Sequence, residues 1–165
     1  MNNAYIESND STEYTINHIK DVLKYMKFFA EHVVLRALLH DASKLLSPEK
    51  EIFDRLAGKR KAKYMSKEYL ENLEILKPAL EHHYKNNSHH VQYYNDGING
   101  MTLIDLLEHL CDTIAVSNVD NDGDVIDSIN KTHDRQFYDK DGLIKQILIN
   151  TYNQYIKNKN NDSTQ

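Results

Sequence analysis

The chain reads as an all-α protein, and three features of its sequence predict that class. Five glycines and two prolines in 165 residues leave few places where a helix must stop. Apolar residues recur every three or four positions and do not alternate. Serine, threonine and aspartate stand ahead of several of these stripes, where they can accept from the free N–H groups of a first turn. At roughly 150 residues per domain the length fits one domain, and we expect six or seven helices over residues 15–156.

The first helix is expected to begin at Thr15 as N-cap, with Ile16, Ile19, Leu23, Met26 and Ala30 on one stripe. A second, from Val33 to about Lys44, places Val33, Ala37 and His40 on one line and Val34, Leu38 and Asp41 on the next. Ser47-Pro48-Glu49 predicts a start with a capping serine and proline at the first helical position, closed by Gly58. Lys59 to Lys63 is then a basic connector. Ser66 caps a helix carrying Leu70, Leu73, Leu76 and Leu80, which Pro78 should kink or restart. Asn95 to Gly100 reads as a loop, after which Thr102 and Asp105 resemble a capping box opening a helix to about Ser117. That helix is apolar round most of its circumference, so it should be central, with Asp105, Glu108 and Asp112 facing a polar cleft. Two more helices are expected near Val125 to Thr132 and Leu143 to Ile156. Residues 1–14 form an N-terminal extension, and the asparagine-rich tail 157–165 has no apolar residue with which to pack.

Composition narrows the function classes. Twenty basic and 25 acidic residues give a net charge of −5, which argues against duplex nucleic acid as a partner. The single cysteine, Cys111, excludes an internal disulfide framework and fits a reducing compartment. The N-terminus has neither a basic nor an apolar leader segment, and no apolar run approaches the ~20 residues of a membrane span. The expectation is a cytoplasmic protein without a membrane partner. A P-loop, a G-x-S-x-G elbow, an H-E-x-x-H helix and a C-x-x-C pair are all missing.

The chemistry lies in histidine and aspartate. His40-Asp41 follows Leu38-Leu39, so both side chains belong at the edge of the core, where a carboxylate needs a partner. Imidazole nitrogens with carboxylate oxygens suit Zn, Fe or Mn. Taken alone, the dipeptide reads rather as a helix C-terminus with a histidine favoured by the macrodipole and an aspartate in a turn. Four further histidines crowd into nine positions at His82, His83, His89 and His90. A continuous helix would pair residues seven apart, but Asn86-Asn87-Ser88 disfavours continuity, so the segment is expected to clamp back as a loop. His32, His109 and His133 read as polar loop residues or as core histidines bonded to backbone carbonyls, as does one member of each His-His pair.

The order His18, His40-Asp41, Asp112 resembles the HD superfamily of metal-dependent phosphohydrolases, whose signature is H…HD…D. His40-Asp41-Ala42-Ser43-Lys44 looks like the HD-x-x-K form of that signature. Within the superfamily, the run His40 to Pro48 and the segment His82 to His90 resemble a small, largely uncharacterised family of bacterial and phage proteins, with HD-x-S-K-x-x-S-P and HH-x₅-HH patterns. The resemblance spans about residues 15–150 and implies an HD-like helical fold. It implies that His18, His40, Asp41 and Asp112 ligate one divalent transition metal (Zn, Mn, Fe, Co or Ni), with Asp41 able to bridge to a second. His82, His83, His89 and His90 are then candidates for that second ion or for substrate phosphate. The implied reaction is hydrolysis of a phosphate ester or anhydride in a nucleotide or other small phosphorylated metabolite, with Asp41 in the catalytic centre and Lys44 contacting phosphate. The HH-x₅-HH cluster departs from the superfamily's nucleotidases, so their substrates do not transfer. The same scaffold also houses diiron oxygenases, and a non-catalytic metal- or nucleotide-binding regulator is the third reading.

Asn118 to Asp124 mimics the opening of an EF-hand loop, but position twelve is Ile129 and lacks the bidentate carboxylate. It is expected to be an acidic turn that caps the next helix.

Overall fold

A computed structural model describes residues 11–57, 65–119, 124–137 and 141–157. Among these residues there are six α-helices and no strand, so the all-α class holds. The Gly58 stop, the basic connector and the 158–165 tail lie outside the described residues, as do 1–10 and 120–123. The chain divides into two compact units, Met1–Leu38 and Leu39–Gln165.

In the first unit, α1 is a single helix, Thr12–Leu39, where the sequence suggested two. Thr15 is inside it and not its cap, because its N–H already bonds the Ser11 carbonyl at 2.9 Å. No glycine or proline occurs between Thr15 and Pro48, and Ala30, Val33 and Ala37 continue the stripe of Ile16 to Met26 without a phase change. The helix stops at Leu39, short of the expected Lys44, because Asp41 turns left-handed at φ 56, ψ 16. Aspartate tolerates that conformation better than most residues carrying a Cβ. A 3-10 turn, Ala42–Leu45, follows.

In the second unit, α2 (Glu49–Leu56) begins one residue later than expected. Pro48 occupies the cap position, with no side-chain cap, and the Lys50 N–H closes the first turn on the Leu46 carbonyl at 2.9 Å. Ser66 does cap α3 (Lys67–Asn86), accepting from the Tyr69 N–H at 3.1 Å. The helix runs through Pro78 without a restart and packs against α2. Two 3-10 turns, Val91–Tyr93 and Gly97–Gly100, lead to α4 (Leu103–Val119). Its capping box is reciprocal: Thr102 Oγ1 accepts from the Asp105 N–H at 3.2 Å, and the Asp105 carboxylate accepts from the Thr102 N–H at 2.7 Å. Asp124 caps α5 (Val125–Thr132), accepting from the N–H groups of Ile126 and Asp127. A π-helical turn follows over His133–Phe137. Gly142, left-handed at φ 67, precedes α6 (Leu143–Thr151), which widens into a π-helical turn over Tyr152–Lys157.

Helices α4, α5 and α6 pack successively around Val91, Leu110, Val125, Ile129 and Leu148. Each such buried side chain contributes about 1.5–3 kcal/mol. α4 thus joins the core through Leu110. No described helix is long and apolar enough to cross a membrane.

Candidate metal centre

Four segments of the second unit converge on one polar focus: the turn after α1, the end of α3, the loop behind it and the acidic strip of α4. The left-handed turn carries the Asp41 carboxylate inward. There Asp41 Oδ1 stands 3.1 Å from His83 Nε2 and 3.6 Å from His89 Nε2. All three atoms are buried and none has a hydrogen-bond partner. Buried polar atoms are otherwise almost always bonded, so three that face one another ask for a missing electrophile.

The far side of each ring explains how the imidazoles are held. Glu49, fully buried at the start of α2, takes His83 Nδ1 at 3.0 Å and His82 Nδ1 at 2.7 Å, and accepts from the Ser43 hydroxyl at 3.0 Å. Where Nδ1 donates to the carboxylate, Nε2 carries the lone pair that an ion on the Asp41 side would take. Glu108 on α4 does the same for two rings through one oxygen. Its Oε1 lies 2.9 Å from His40 Nδ1 and 3.2 Å from His89 Nδ1. His40 Nε2 then sits 3.5 Å from both Asp41 Oδ2 and Asp112 Oδ1.

The loop bearing His89 and His90 is anchored on both flanks. Asn87 reaches the Ser43 hydroxyl at 2.9 Å and the His83 carbonyl at 2.8 Å. Asp105, 1% exposed, accepts from Ser88 Oγ at 2.9 Å and Tyr94 OH at 2.8 Å, in addition to both donors of Thr102. His109 bonds the His89 carbonyl. His90 stacks close to His89, with ring centroids 4.1 Å apart, and packs edge-on to Tyr84 at 4.8 Å.

The donors fall into two overlapping sets whose ligand atoms all lie within 4.8 Å of one another: Asp41, His83, His89 and His90, and His40, His89 and Asp112. An ion ~2.1 Å from each of four tetrahedral ligands would draw the donors to about 3.4 Å of one another, a small closure from here, and three imidazoles with one carboxylate is a borderline transition-metal set. Electrostatics agree with a cation-seeking centre. Burial alone would raise the Asp41 carboxyl, but the His83 imidazole and Lys44 ammonium beside it outweigh that and hold it well below the usual carboxylate range. Burial, reinforced by the neighbouring rings of His89 and His83, pushes His90 down to about 3, so it is neutral and available as a ligand.

Of the residues singled out in the sequence, His40, Asp41, His83, His89, His90 and Asp112 come together. They fall into two sets that share His89. His82 is tied to Glu49, with its ring 40% exposed, and Lys44 is paired with Asp41. His18 lies on α1 in the first unit, and the members of the two sets belong to the second. His32 bonds the Phe28 carbonyl as expected, and His109 bonds that of His89. His133 turns to the Asp134 carboxylate at 3.2 Å. Sequence reasoning missed Glu49, read only as the start of a helix, and saw Glu108 only as part of a polar strip. The signal for Glu49 was an acidic residue at the head of a helix following the His-Asp turn.

The chain belongs to DUF5662, a family of unknown function, whose profile matches residues 7–158. No curated protein and no solved structure matches it.

Proposed function

We propose that this protein is a metal-dependent phosphohydrolase that uses one or two divalent transition-metal ions to cleave an ester or anhydride in a small phosphorylated metabolite. The observation that carries the metal reading is the convergence of Asp41 Oδ1, His83 Nε2 and His89 Nε2, buried and unbonded, with each imidazole locked from behind by a glutamate. The resemblance of His40-Asp41 and Asp112 to the H…HD…D signature supports phosphoryl chemistry. When bound, the ion supplies Lewis-acid polarisation of a phosphoryl oxygen and activation of water near neutral pH.

The chain's own residues do the rest. His83, His89, His90 and Asp41 supply three imidazole nitrogens and one carboxylate. Glu49 and Glu108 fix which ring nitrogen carries the proton. His40 and Asp112 extend the donor set along α4, where a second ion or a substrate oxygen would meet them.

The test is metal analysis of purified protein and of Asp41→Ala, followed by a panel of nucleotides and phosphate esters. Wild type should retain a transition metal and turn over a phosphorylated substrate, and the variant should lose both. Undiminished metal in the variant would remove the centre as described. Metal without turnover would point to a binding protein, and iron with dioxygen consumption to an oxygenase.

A further inference from the structure

Asp41 shows its two carboxylate oxygens to different partners. Oδ1 faces the imidazole nitrogens of His83 and His89, while Oδ2, 3.5 Å from His40 Nε2, takes the Lys44 ammonium at 2.5 Å. The 3-10 turn makes this pairing local: the Lys44 N–H bonds the Asp41 carbonyl at 2.9 Å, which brings the side chain back over the carboxylate three residues earlier. On its other side the ammonium lies 5.6 Å from the centroid of the Phe53 ring on α2, within cation–π range. A lysine held in this way is turned toward a ligand's spare oxygen.

We propose that Lys44 is a positioning residue that reserves Oδ2 of Asp41, so that this carboxylate meets an ion through Oδ1 alone. The inference rests on the metal centre described above. Two consequences follow from elementary electrostatics and coordination. A positive charge on the ligand's second oxygen weakens cation binding. A carboxylate limited to one oxygen also suits a four-coordinate, nitrogen-rich site for Zn²⁺ better than one for Mn²⁺, which favours more oxygen ligands and a higher coordination number. Lys44 thus trades affinity for selectivity, a different task from touching substrate phosphate.

Calorimetric titration of metal-stripped wild type, Lys44→Met and Lys44→Arg with Zn²⁺ and Mn²⁺ tests this without any substrate. Lys44→Met should bind both ions more tightly, by about tenfold for Mn²⁺ and less for Zn²⁺, so the preference for zinc narrows. Lys44→Arg keeps the charge and should stay near wild type. A gain in affinity is not what a merely structural lysine would show on removal. Unchanged or weakened binding in Lys44→Met, or an arginine variant that shifts as far as the methionine one, would overturn the proposal. Wild type that binds neither ion would remove the metal centre itself, and this inference with it, before any variant is compared.

Discussion

Asp41 and Asp105 are both inward-facing carboxylates, and both are drawn well below the usual range, Asp105 to about 2. The causes differ. At Asp105 burial pushes upward and is outweighed by neutral donors: Thr102 through its hydroxyl and N–H, then the hydroxyls of Tyr94 and Ser88. Both of its oxygens are satisfied within the chain. At Asp41 one oxygen is paired with Lys44, while the other faces two imidazole nitrogens without a hydrogen bond. A buried carboxylate whose bonds are complete is a brace for the fold. One whose bonds are incomplete, among other incomplete groups, is a place for something to bind.

The largest test of that contrast is Asp105→Ala, which strands the Tyr94, Ser88 and Thr102 donors. It should cost about 3–5 kcal/mol in urea unfolding of the metal-free protein. The pH limb has a definite sign. Because the folded carboxyl titrates near 2, below its unfolded value, its contribution is present above roughly pH 4 and is lost as pH falls from there toward 2. The gap between wild type and variant should therefore shrink by about 2 kcal/mol over that window. A gap that stayed constant would mean the charge of Asp105 is not what holds the loop.

Next in size is Glu108→Gln. The amide still accepts one imidazole N–H, but it cannot fix the tautomers of His40 and His89 as an anion does. Metal affinity should fall about 10–100-fold with little change in helix content. An unaltered titration curve would remove Glu108 from the binding side of the comparison. The smallest effect belongs to Gly100→Ala. A Cβ there would lie 2.7 Å from Tyr94 Cδ1, and displacing that ring draws its hydroxyl from Asp105. We expect a loss of about 1–2 kcal/mol, and thermal unfolding at wild-type stability would show that the ring yields without disturbing the brace.

What the sequence made legible was local. Ser66, the Thr102/Asp105 box and the Val125–Thr132 helix depend on neighbours within a few positions, and all three stand as read. The boundary errors at α1 are local too: Asp41 ended the helix by a left-handed turn that no glycine announced, and the apolar stripe ran on where a break was expected. The candidate site was legible only as an inventory of histidines and aspartates. Its wiring was not, because Glu49 meets His82 and His83 across 33 and 34 positions and Glu108 meets His40 across 68. Periodicity says that Glu108 faces inward; only packing decides which imidazole it meets.

The left-handed backbone at Asp41 makes that position answer to two unrelated demands at once. Asparagine or glycine would satisfy the turn and forfeit the anion; glutamate would keep the anion at the wrong reach on a less forgiving backbone; a β-branched residue would fail both. Folded yield and ion retention therefore sort substitutions at this position into different orders. A saturation library at position 41, scored separately for each, would separate the residue's part in ending a helix from its part in catching a cation.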